Sequence, residues 1–267
     1  MRFVSHLAHG LVLVALAAGI AVATASGAPP PKGYTCSGGS IPSGTYDSLT
    51  VTGFCAVDSG SVNVTNDATV EHGAALLAAF GGSDLTIGGD LLVGNNGILV
   101  LGCEPEAFIC LNDPDQTTGT LSTHDSVGHD LRANNALGVL VHNNTIGHDA
   151  SVTGGGGGAG PNACDSTALG GGPPYGTFED NTIGHNASIE GFHSCWLGFF
   201  RNTVSNDVNY NGNKTTDPDG NEVATNTIGG DLSCNGNTPA PQVGDSGGAP
   251  NDVSGHVRGQ CKKLVGP

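Results

Sequence analysis

The chain is poor in positive charge: 8 Lys and Arg stand against 24 Asp and Glu, for a formal net charge of −16. Nucleic-acid binding depends on neutralising phosphates with basic side chains, so that partner class is excluded. Cations or basic partners fit better, and so does the plain solubility of an acidic exported chain. Aromatic residues make up only 5%, with a single Trp, so few side chains offer a large flat face. No amphipathic helical run follows residue 25, which argues against a helical bundle. No CxxC pair occurs among the 8 cysteines, so a zinc-ribbon or thioredoxin-type reading has no support. A His-Glu-x-x-His sequence and a phosphate-binding loop are also missing.

The one long apolar stretch, Leu11–Val22, follows the lone basic Arg2 and precedes Ala23-Thr24-Ala25. That order reads as a secretory signal peptide over residues 1–25, with an uncleaved anchor as the alternative, and no membrane span is expected after its cleavage. All 8 cysteines fall beyond it, and an even count in an exported chain points to disulfides. What remains is rich in Gly (45 residues), Asn, Asp and Thr, the composition of a turn-rich β chain.

A short phrase recurs. It reads Thr86-Ile87-Gly88-Gly89-Asp90-Leu91, Ser126-Val127-Gly128-His129-Asp130-Leu131, Thr145-Ile146-Gly147-His148-Asp149-Ala150 and Thr182-Ile183-Gly184-His185-Asn186-Ala187. Thr203-Val204-Ser205-Asn206-Asp207-Val208 and Thr227-Ile228-Gly229-Gly230-Asp231-Leu232 complete the set, and Thr69-Val70 opens a degenerate earlier copy. Apolar residues follow four and six positions after the Ile or Val, as in Ile146, Ala150 and Val152. Each copy therefore reads as a strand end, a tight Gly-x-Asp corner with access to positive φ, and a second strand. Spacings between the Ile/Val positions run 40, 19, 37, 21 and 24. The two long ones are a coil plus an insertion, the first holding Cys103 and Cys110, the second the Gly154–Pro174 stretch. Coils of this size cannot bury their apolar face alone and must stack. The expected fold is an all-β, right-handed parallel β-helix of about seven to nine coils. Its parts are an N-terminal segment and cap at 26–60, repeats at 61–237 and a Gly/Pro-rich tail at 238–267.

At these residues the chain resembles the parallel β-helix superfamily that includes pectate lyases. More closely, it looks like a family of uncharacterised secreted actinobacterial proteins with TIGG[DN]L-type repeats. The ending is also similar: Cys234-Asn235-Gly236-Asn237-Thr238-Pro239-Ala240-Pro241, with Cys261 beyond. The resemblance implies a β-solenoid and brings no activity. The Arg-x-Pro-x-x-Arg signature of the lyases and the Arg-x-Lys group of the related hydrolases are both missing.

A solenoid has two open ends to cover. Cys234 falls at the inward position of Val93, Val152 and Ile189, so a bond to Cys261 would pin the tail across one end. Cys36–Cys55 would serve the other end. Cys103–Cys110 would close the first insertion, and Cys164–Cys195 would tie the second to the next coil.

Two groups of residues are candidate sites. His129, His148 and His185, with Asp130 and Asp149, share one corner of successive coils, a column suited to a metal ion such as Ca²⁺. Against it, Gly89, Asn206 and Gly230 replace the His elsewhere, and no cofactor is required. The second group lies on a loop-rich flank: Trp196, Tyr175 and Phe192 as faces for a sugar ring, with Asp165, Asp180 and His193 as polar contacts. The alternative is that the aromatics pack beneath the insertion. The expected protein is a secreted or surface-associated monomer, non-catalytic, structural or binding polysaccharide or cell-wall glycan; a divergent polysaccharide lyase or hydrolase is the alternative.

Overall fold

A computed structural model of the chain describes residues 32–104, 108–113, 123–169, 172–244 and 247–266. The leader expected at 1–25 lies outside the described residues. From Tyr34 the chain winds through three parallel sheets in rotation, until the tail passes from the sheet A strand Leu232–Asn235 to sheet C. One coil runs from sheet A (Tyr34–Cys36) through sheet B (Gly39–Ser40) to sheet C (Gly44–Tyr46), and the next returns to sheet A at Leu49–Val51. Sheet A has ten strands, sheet B eight and sheet C nine, every pair parallel and joined to the coil before and after. This is a parallel β-helix, and sheet C's nine strands meet the upper end of the expected coil number. Strands begin at Tyr34, and the tail contributes Asp252–Val253 to sheet C and Val257–Gly259 to sheet A.

Stacking in register places like on like. In sheet A, Val51, Val70, Val93, Ala133, Val152, Ile189, Tyr210 and Cys234 form one inward column. In sheet C the column is Val64, Ile87, Val127, Ile146, Ile183, Val204, Ile228 and Val253. These side chains are buried in a single core, with Val253 partly buried at its end. Non-local burial of this kind is the main favourable term in a solenoid, because no coil has a core of its own.

The repeated phrase is the end of a sheet C strand, the C–A corner and the start of a sheet A strand, as its pattern implies. Two details differ. Thr69-Val70 pairs with Leu92-Val93 in sheet A, so it is not an earlier copy of the phrase. That copy is Asn63-Val64, which pairs with Thr86-Ile87. Nor do the phrase's glycines sit at positive φ. A Cβ on Gly147 would run into the carbonyl of Gly128, and one on Gly184 into that of Gly147. Close stacking of successive corners is the requirement.

All four disulfides form in the expected order, Cys36–Cys55, Cys103–Cys110, Cys164–Cys195 and Cys234–Cys261. The last joins the final full sheet A strand to the short turn Gln260–Lys263, which places Cys261 and Leu264 over the end of the core. Among the described residues no helix is long and apolar enough to cross a membrane. Four disulfides suit an oxidising compartment.

Two further columns hold the coils together through polar atoms. At the B–C corner Asn144, Asn181, Asn202, Asn226 and Asn251 are buried. The Oδ1 of Asn202 accepts the backbone N–H of Asn181 at 3.1 Å, and its Nδ2 donates to the carbonyl of Phe178 at 2.8 Å. Asn181 and Asn226 repeat the pattern. At the C–A corner Asp90, Asp130, Asp149, Asn186, Asp207 and Asp231 do likewise. Each Oδ1 accepts the backbone N–H of the next coil, at 2.7–3.2 Å except the still shorter approach at the last step, at 2.6 Å.

Candidate functional site

The outward positions of sheet B depart from the solvated face that an antiparallel sheet would show. One outward row is Ala56, Leu77, Val100, Leu140, Thr177, Gly198 and Glu222. A second is His142, Glu179, Phe200 and Ala224. The face thus changes from aliphatic in the early coils to acidic and aromatic in the later ones.

Both insertions border it. The first leaves sheet B after Leu101 and lays Phe108 flat on His142, ring centroids 4.3 Å apart and 10° from parallel. The second lies between the sheet A strand Ala150–Thr153 and the sheet B strand Tyr175–Glu179, and its Leu169 covers Gly138. Between them runs a groove of about 280 Å³ lined by Phe54, Leu77, Ile98, Val100, Phe108, Leu111, Leu140, Leu169 and Tyr175. Phe54 and Leu111 are its exposed members, at 62% and 50%.

At the Tyr175 end the groove meets a cluster of aromatic rings. Trp196 stacks on Phe200 at 5.6 Å, and Tyr175 meets it edge-on at 6.5 Å. Gly198 permits this, since a Cβ there would strike both the Trp196 and Phe200 rings. The indole Nε1 donates to Glu222 at 3.1 Å, which fixes the ring in place.

Beside the rings is a charged cluster. Arg201 Nη2 lies 2.8 Å from Glu179, 2.6 Å from Asp180 and 3.5 Å from Glu104, and its Nε donates to both Asp180 oxygens at 2.9 Å. Asp180 and Arg201 both occupy left-handed corner positions, φ 56° and 50°, which stacks them on successive coils. Three carboxyls around one guanidinium carry surplus negative charge, and the protons settle unequally. Burial, then the hydrogen bond and charge of Asp180, push Glu104 up to about 8 against the pull of Arg201. Burial opposes ionisation of Glu179 too, but His142, Thr177 and Arg201 outweigh it and hold it below the ordinary carboxylate range. The His142 Nε2 is 3.6 Å from Glu179.

The structure brings Trp196, Tyr175 and Asp180 of the expected flank to this face. Phe192 is a correction: it is fully buried in the core, above the space left by Gly176, and offers no face to a ligand. His193 belongs to a two-strand extension with Lys214, its Nε2 3.3 Å from the Gly212 carbonyl. Asp165 is exposed in the short turn Ala163–Asp165 of the insertion. Glu104, His142, Glu179, Phe200 and Glu222 were not among the expected site residues. Their signal exists only in the register that stacks them.

The C–A corner holds the other expected group. The rings of His148 and His185 stack with centroids 4.9 Å apart and planes 22° apart. His129 follows the same backbone ladder but lies around a hollow with Asp90, Asp130, Arg132 and His148, where Arg132 bridges Asp90 and Asp130.

Comparison with known proteins returned no matching family model, no matching curated protein and no matching solved structure. What the chain itself shows is a disulfide-bonded parallel β-helix with a bordered groove on one sheet.

Proposed function

We propose that this is a secreted, non-catalytic β-helix that binds a glycan chain along the outer face of sheet B. The observation that carries the reading is the pair of half-buried rings, Tyr175 and Trp196, with Phe200 packed against the indole, lying next to the Glu104–Glu179–Asp180–Arg201 group at the end of the groove. Flat apolar faces next to a few convergent polar groups are the chemistry that holds a sugar ring. The wall insertions and the rigid sheet pre-organise it. The repeat and the cysteine-bearing ending support placing the chain with the secreted actinobacterial β-helix proteins it resembles, within the pectate-lyase-like superfamily.

The sole Trp reports on this site directly. Titrating neutral and acidic polysaccharides should shift its emission, and Trp196→Ala should lose at least about tenfold in retention while remaining folded. A lower melting temperature with retention intact would mean that the ring is packing only. A second reading, hydrolysis, is favoured by one observation: Glu104 holds its proton near neutral pH while neighbouring Glu179 is ionised, the division of labour of an acid and its partner carboxylate. Release of reducing ends, abolished by Glu104→Gln, would replace binding with catalysis.

A further inference from the structure

We propose that His148, Asp149 and His185 form a site for a borderline transition-metal ion, Zn²⁺ foremost, on the C–A corner. One ligand atom of each lies within 4.8 Å of the others. The two imidazoles project from successive coils as a stacked pair, so the solenoid repeat itself sets their separation. Each ring is also held by a carboxylate: His148 Nδ1 is 3.2 Å from Asp130 Oδ1, and His185 Nδ1 is 2.7 Å from Asp149 Oδ1. The Asp130 carboxylate beside His148 is the kind of support that metal-binding histidines use, while Asp149 beside His185 supplies the carboxylate ligand, with the Asn186 amide 2.9 Å from the same His185 nitrogen.

The same geometry selects the metal. The Oδ1 atoms of Asp130 and Asp149 already accept the backbone N–H groups of Asp149 and Asn186. Few oxygens remain for Ca²⁺, which takes six to eight of them. Two imidazoles and one carboxylate oxygen, completed by water, suit Zn²⁺ or Cu²⁺. His129 shares the column but is not one of the residues whose ligand atoms converge. All 8 cysteines are in disulfides, so no thiol competes for the ion.

The test is isothermal titration of the oxidised, chelator-treated protein with ZnCl₂. One equivalent should bind, CaCl₂ should not displace it, and His148→Asn or His185→Asn should each weaken it at least about tenfold. Asn206 holds the equivalent corner position in this chain, and the His148 ring is exposed and the His185 ring half-exposed, so these variants keep the fold. His129→Asn should bind as tightly as wild type. Absence of binding at millimolar ZnCl₂, or binding retained in the His148→Asn/His185→Asn double variant, overturns the site. Either result leaves the glycan reading of sheet B untouched.

Discussion

The B–C and C–A corners solve one problem with different chemistry. At each, a short side chain on one coil accepts the backbone N–H of the adjoining coil. The B–C corner uses Asn and the C–A corner mostly Asp. The B–C column is sealed from water, so its residue must stay neutral and must also satisfy a carbonyl, which the Asn Nδ2 does. The C–A column is partly open, and water, Arg132, Arg258 and the histidines meet the Asp charge. Each column has one member of the other kind. Asn186 stands in the Asp column, and Asp125, which precedes Ser126 as Asn144 precedes Thr145, stands at the top of the Asn column.

The comparison breaks most sharply at Asn202. Asn202→Asp would bury a charge and lose two Nδ2 hydrogen bonds, to Phe178 and Asn226. The expected loss is about 3 kcal/mol or more at pH 7. It should shrink on acidification, because a buried carboxyl titrates above its unfolded value. Denaturant unfolding at pH 7 and pH 4.5 measures both effects; an equal loss at the two pH values would contradict the burial argument.

Asp125 tests the natural exception. Burial pushes its carboxyl up to about 7, against the N–H groups of Leu85 and Gly102 and the Thr123 hydroxyl. A carboxyl raised on folding favours the protonated native state. Its contribution is therefore complete below about pH 4 and is lost as pH rises toward 7. Asp125→Asn should flatten that part of the stability–pH curve. A slope unchanged from wild type would place the dependence elsewhere, with Glu104 the next candidate.

The smallest effect belongs to the open corner. Asp207→Asn keeps the Oδ1 that accepts the Asp231 N–H at 2.7 Å, and Asn186 already performs this role one coil earlier. Stability should change by about 0.5 kcal/mol or less. A loss comparable with that of Asn202→Asp would erase the distinction between the corners.

Much of this was legible in the order of residues. The phrase from Thr86 to Leu232 marked the stacked corner, and surplus spacing located both insertions. The inward register of Cys234 led to its partner. The Asn column also had a signal that the repeat reading left unused: Asn144, Asn181, Asn202 and Asn226 each directly precede the Thr of a copy. Phe192 was misplaced because its position in a connecting segment resembles that of a surface aromatic, whereas Gly176 on the preceding coil leaves room for it inside. The groove was less legible still. Glu104, Glu179 and Arg201 come from three coils, and their convergence depends on how an insertion folds back.

The residues alone determined the repeat and the parallel stacking, because a coil with a periodic apolar face can bury it only against its copies; the expected pairing of the cysteines was one of many, and the tertiary structure selected it. Only the tertiary structure decided which outward residues share a surface. That depends on register between coils and on the path of two insertions, neither of which follows a period. The aromatic cluster over Gly198 and the uneven protonation around Arg201 belong to that second category: both arise from through-space contacts between residues that the chain keeps far apart.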